Sequence, residues 1–380
     1  MDVRAVILVG GAREEGTEHL GGLPIGLLDV LGVPILQRVL DRLEKFGISG
    51  AAVVTEVPAS SVPLARGSVR PGMQWVDAQG TQFWRAAEGA FNDFAQAGAE
   101  LVLVVRLGAY AELDYEELVQ FHLDGGCRVT QVSDAAGLPL DTFVISASRR
   151  NDAAYLFRHE LRQMRVPCDD YRFAGYINHL RDPKDYRILA LDGFAGIANI
   201  KPCGKEVKPG VWIGEKARVH RSARLLAPCF VGSYAKIRAA ALLTRGSSVE
   251  HHSEVDCGTV VENSSLLQTT VVGAGLDVTH SVVGFQKIWN LRRAVEVEIT
   301  DRRLVSTLSS APVRMLNNAV DIAWLFSKSM AQTVLGRKAA PQPELRDAVC
   351  RPAAVLKKVE NSQDEGLPAD LLSVRRYGNE

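Results

Sequence analysis

Stepping by six residues from Ile213 meets an aliphatic side chain every time: Val219, Leu225, Val231, Ile237, Leu243, Val249, Val255, Val261 and Leu267. Four residues after each stands a small or compact one: Ala217, Ala223, Cys229, Ala235, Ala241, Ser247, Ser253, Thr259, Ser265 and, last, Val271. Neither common element has that period, because side chains realign about every 3.6 residues on a helix and every 2 on a strand. A period of six suits a coil with three flat sides. One aliphatic per side then points inward, and a small residue fits each tight corner. The step breaks at Gly273, since Val272 and Val278 come one residue early, so the coil is expected to end or bulge there.

The chain before the repeat reads differently. Residues 1–200 alternate short apolar runs with helical patterns, the mark of β-α-β units and a mainly parallel sheet. Strands are expected over 5–10, 51–56, 73–78 and 100–107. Helices are expected over 34–47, 83–98, 114–126 and 149–164, the last capped by Asn151 or Asp152. The stretch "KPCGKEVKPG" from residue 201 reads as a linker. The hexads then fill 201–285, and a strand with an amphipathic helix over 286–340 caps the coil's open end. Residues 341–380 are polar with scattered prolines and read as a disordered tail.

Composition removes several functions. Formal net charge is zero, so no basic field attracts nucleic acid. No run approaches the roughly 20 apolar residues of a membrane span. The apolar segment 317–336 contains Asp321 and Lys328 and packs on the body, membrane-surface contact being the lesser alternative. The six cysteines include no C-x-x-C pair, which argues against a zinc site or a disulfide framework and suits the cytoplasm.

The hexads resemble the repeat of left-handed parallel β-helices, and ten of them make roughly three coils stacked about 4.8 Å apart. An α/β domain with a glycine-rich first loop followed by such a helix is similar to the sugar-1-phosphate nucleotidyltransferases, especially the mannose-1-phosphate guanylyltransferase and glucose-1-phosphate nucleotidyltransferase branch. That family's signature is L-A-G-G-x-G-T-R-L-x-P-L-T, three variable residues, then P-K-P-L-x-P-V-x-x-K-P-I-L. Laid on this sequence without a gap, it matches Leu8, Gly10, Gly11, Pro24, Leu27, Val30, Pro34, Ile35 and Leu36. The resemblance implies a Rossmann-like nucleotidyltransferase domain, a β-helix and a helical cap. It also implies a nucleotide site at Gly10, Gly11, Arg13, Gly80 and Thr81.

The same alignment removes the family's chemistry. Relatives contact the triphosphate through the arginine of G-T-R and the α-phosphate through the lysine of P-K-P. They hold Mg²⁺ on an aspartate at a central strand end and on a later one. Here Arg13, Glu14 and Glu15 fill the G-T-R places, Ile25 the lysine place, Gly108 the first metal place, and Gly196 or Ile197 the second. Gly80-Thr81 is followed by bulky Gln82 and Phe83 instead of the small residues that contact a base in relatives. Exchanging a phosphate-binding cation for an anion turns an attraction of about 4 kcal/mol, at roughly 4 Å and an effective dielectric near 20, into a repulsion of that size. The expectation is therefore no catalytic residue and no cofactor. The chain becomes a degenerate member that binds a nucleotide-sugar or regulates, as a homo-oligomer or beside an active paralogue. Two alternatives stay open: an active transferase with Mg²⁺ relocated to Glu112, Asp114 or Asp192, and a solenoid acyltransferase using His251 or His252 as general base.

Overall fold

The strands Val3–Val9, Gly50–Thr55 and Leu101–Arg106 are apolar nearly throughout, as strands covered on both faces must be. The computed structural model describes residues 1–10, 19–20, 23–48, 50–57, 73–161, 166 and 168–308. These three strands pair in parallel at the centre of a seven-stranded sheet. Its order is Cys168–Phe173, Val129–Asp134, Pro139–Ser146, Leu101–Arg106, Val3–Val9, Gly50–Thr55, Met73–Asp77. Pro139–Ser146 runs antiparallel to both its neighbours, so the sheet is parallel-rich and mixed.

Among the described residues five helices cover it: α1 (Ile35–Lys45), α2 (Thr81–Gln96), α3 (Tyr115–Gly125), α4 (Arg150–Arg158) and α5 (Pro183–Ala195). Alternation along the strands divides the core. Ala5, Ile7 and Val9 face α1, α3 and α5, whereas Val6 and Leu8 face α2 and α4. Helix α4 begins at Arg150, ahead of the expected cap at Asn151 or Asp152, and ends by Arg158 rather than 164. The "ALDGFAGIANI" stretch is the end of α5 and its exit. Asp182 caps that helix by accepting the Asp185 N–H at 2.7 Å, Pro183 opens it, and Gly196 closes it at φ 71°.

The repeat folds into three ladders of parallel strands. The first joins Val211–Ile213, Cys229–Val231, Ser247–Val249, Ser265–Leu266 and Ser281–Gly284. The second and third start from Arg218–Val219 and Arg224–Leu225 and rise in the same way. Partners stand eighteen residues apart at first (Val231↔Val249) and seventeen later (Val249↔Leu266). Val231, Ile237, Leu243, Val249, Val255 and Val261 are buried together as the hexad predicts. The slip then comes one hexad early. Leu266, Val272, Val278 and Val283 continue the inner column, and Leu267 joins the core of the α/β domain instead. The ladders run past Gly273 to Gly284, so of the end or bulge expected near there the coil shows a one-residue slip and no end.

The corner residues explain how a seventeen-residue step stays hydrogen-bonded. In the longer coils the corners are closed by backbone alone, as in Arg218 N–H to Ala235 O at 2.8 Å. Where the step shortens, hydroxyls take over. Ser253 Oγ donates to Leu267 O at 2.7 Å and accepts the Thr270 N–H at 3.2 Å. Ser264 Oγ likewise lies 3.3 Å from Val278 O and accepts the Ser281 N–H at 3.0 Å.

The stretch expected as a linker is partly a strand, because Lys205–Lys208 pairs antiparallel with Val211–Ile213. Beyond the coil, Lys287–Asn290 and Val295–Glu298 extend the first ladder antiparallel, and Val305–Thr307 joins the second. The expected cap helix over 317–336 and the tail over 341–380 lie outside the described residues. Among described residues, no helix is long and apolar enough to cross a membrane. Cys127, Cys168, Cys203 and Cys229 are free thiols. Cys257 is disulfide-bonded, which departs from the wholly reduced set that the spacing suggests.

Candidate functional site

The carboxyl ends of the central strands meet at Gly10. Its φ of 117° suits glycine, and a Cβ there would lie 2.6 Å from Glu56 Oε2. Arg106 ends the neighbouring strand with its side chain 3% exposed. Its Nε donates to Gly10 O at 3.2 Å, and its Nη1 bonds Asp141 Oδ2 at 2.8 Å. A buried ion pair therefore spans the strand ends, tied to the loop's first carbonyl. Gly108 follows two residues later, past the Leu107 N–H bond to Leu8 O at 2.9 Å. Ile25, in the place that resembles the P-K-P lysine, is 2% exposed within the core. Gly80 precedes α2 at φ 55°, and Thr81 is that helix's first residue. Gly11, Arg13, Glu14 and Glu15 lie outside the described residues.

The metal candidates do not form one centre. Asp114 caps α3, its Oδ1 accepting the N–H groups of Glu116 and Glu117 at 3.0 and 3.2 Å. Glu112 Oε1 accepts the Asn199 N–H at 2.6 Å and sits 3.7 Å from Arg42 Nη2. Asp192 lies within α5 and accepts the Tyr176 hydroxyl at 2.6 Å; burial first, and then that carboxylate, push the phenol well above its ordinary value. Glu112 and Asp114 share a cavity wall that Asp192 does not line. Among the described residues, no group of three or more His, Cys, Asp and Glu is placed to hold a metal ion.

The two histidines stand in different surroundings. His251 does not stand on an open coil edge: it is turned into the α/β domain, where Nδ1 contacts Asp29 Oδ2. Burial, with His252 adding to it, lowers its pKa to about 4. His252 is exposed and occupies a left-handed corner at φ 57°, stacked on Tyr234 with ring centres 4.8 Å apart. Strand alternation would send neighbours to opposite faces, but the corner brings the two rings edge to face at 5.3 Å.

Residues that pattern reading passed over hold the domains together. Glu250, fully buried, accepts the N–H groups of Leu31 and Gly32 at 3.0 and 2.8 Å. Burial raises its pKa to about 8, against the pull of those two amides. Arg187, 3% exposed on α5, donates to Ser265 Oγ at 3.1 Å and Asn263 Oδ1 at 3.0 Å. Burial pulls its pKa down to about 10. Phe230 and Leu267 supply apolar contact beside them. No local signal marks Glu250, since Asp256 and Glu262 also follow inward aliphatics.

No protein-family model matches the sequence, and no curated protein matches it. Among solved structures the chain is similar to the crystal structure of HddC from Yersinia pseudotuberculosis, with a TM-score of 0.40 and 17% identity over 50% of this chain and 99% of that one.

Proposed function

We propose that this chain is a nucleotidyltransferase-like protein, a Rossmann-like domain followed by a left-handed β-helix. It binds a nucleotide-sugar or regulates an active partner, and it does not itself transfer a nucleotidyl group. The observation that carries this reading is the Arg106–Asp141 pair at the strand ends. Phosphoryl-type transfer depends on cations and metal ligands free to follow developing charge on the phosphates. Here the strand-end cation is committed to a buried carboxylate and to Gly10 O, and the position resembling the lysine is a core isoleucine.

The candidates for Mg²⁺ do not converge on one centre: Asp192 lies away from the cavity that Glu112 and Asp114 share, and one oxygen of each carboxylate already accepts a hydrogen bond within the fold. The acyltransferase alternative loses support as well. His251 faces an aspartate inside a domain contact, and His252 is stacked on Tyr234.

The test is direct. Pure protein with each nucleoside triphosphate, a hexose 1-phosphate and Mg²⁺ is expected to release no pyrophosphate above a no-protein control. Nucleotide-sugars are expected to raise its melting temperature whether or not Mg²⁺ is present. Sustained pyrophosphate release that tracks protein concentration overturns the reading.

A further inference from the structure

A cavity of about 450 Å³ lies between α1 and the turn before α3, within the roughly 300–1,000 Å³ range of small-molecule sites. Arg38, Arg42 and Lys45 line it at spacings of four and three, which places all three on one face of α1. Acids line it too, and one oxygen of each already accepts a hydrogen bond within the fold. Asp41 accepts from Gln37 Nε2 at 2.6 Å, while Glu112 and Asp114 accept the backbone amides described above.

The cations are not matched in the same way. Arg38 Nη2 bonds only neutral acceptors, Val30 O at 2.7 Å and Lys201 O at 3.3 Å, and its buried Nε has no partner. Lys45 makes no ion pair or hydrogen bond among the described residues, and its side chain belongs to an exposed residue. Arg42 approaches Glu112 at 3.7 Å and lies 5.9 Å over the Tyr110 ring. A guanidinium held in low dielectric without a carboxylate bonded to it is costly, and burial pulls Arg38 below its ordinary value although Tyr110, Glu250 and Asp41 nearby act the other way. Phe46 and Leu113 add apolar wall beside these charges.

We propose that this cavity is a ligand site, separate from the strand-end cleft, for a small molecule carrying a phosphate group. A phosphate supplies the counter-charge that Lys45 lacks beside the Arg38 and Arg42 guanidinium groups, whose fork suits its oxygens. The organic remainder rests against Phe46 and Leu113.

Calorimetric titration of the full chain with inorganic phosphate and with glycerol 3-phosphate, against sodium chloride at matched ionic strength, tests this. The expected result is saturable binding of the phosphoester, tighter than that of inorganic phosphate. Lys45→Gln should weaken it at least fivefold, and Lys184→Gln, on α5 away from the cavity, should leave it unchanged. Arg38→Gln also frees the Val30 and Lys201 carbonyls, so Lys45→Gln at an unchanged melting temperature is the deciding variant. Absence of saturable binding beyond chloride, or an affinity that Lys45→Gln does not alter, overturns the proposal.

Discussion

Asp141 holds a left-handed backbone conformation, φ 51°, that is uncommon outside glycine, while presenting a carboxylate to Arg106. Both side chains are over nine-tenths buried, so removing one leaves the other charged in a poor solvent. Asp141→Ala is expected to destabilise the fold by about 3 kcal/mol, read as a lower urea midpoint with an unchanged slope. An unchanged midpoint would mean that the pair is not the keystone of the strand ends. None of this could be read from the sequence, since Arg106 and Asp141 belong to strands joined only through the sheet. The surroundings of Glu112, Asp114 and Asp192 are hidden for the same reason. What occupies them is the Asn199 amide, a helix start and Tyr176, of which only the helix start was visible locally.

At the scale of elements, much of the architecture was legible because it is written as period. The hexads placed the inward column through Val261, and the apolar runs placed the central strands. The slip to Leu266 was hidden because Leu266 and Leu267 are both aliphatic, so either one satisfies the pattern. The Val129–Asp134 and Pro139–Ser146 hairpin was missed, its alternation being weak beside the central strands. The hydroxyl corners were visible as small residues but not as hydrogen-bond bridges. Ser253→Ala keeps the size and removes the bridge, leaving Leu267 O and the Thr270 N–H short of a partner. It is expected to cost about 1–3 kcal/mol in chemical denaturation, whereas Ala235→Ser, in a backbone-closed coil, should give no comparable gain. Equal midpoints for Ser253→Ala and the parent chain would reduce the corner to simple packing.

At the scale of the whole molecule, the α/β domain and the coil meet through apolar contact and buried titratable groups. Gly32 shows how close the approach is, since a Cβ there would lie 2.7 Å from the Phe230 ring. Glu250 and His251 give that contact a pH signature of two opposed parts. The Glu250 carboxyl keeps its proton in the folded chain up to about pH 8, whereas the unfolded carboxyl loses it near its ordinary value of 4.5. Its contribution is therefore full at low pH and is lost as pH rises through about 8. His251 stays neutral in the folded chain down to about 4, whereas the unfolded imidazole takes a proton below about 6.5. Its contribution is full above that value and is lost as pH falls. From pH 4.5 to 6.5 the two slopes oppose each other, each at most about 1.4 kcal/mol per pH unit. From 6.5 to 8 Glu250 acts alone of the two, so stability should decline as the medium becomes more alkaline. Glu250→Gln keeps the shape and removes the titration. Its stability should then be flat from 6.5 to 8 and should rise with pH between 4.5 and 6.5, where the His251 slope is no longer masked. Urea unfolding of both chains across this range measures it, and a Glu250→Gln variant that keeps the parent's alkaline decline would place that titration elsewhere in the molecule.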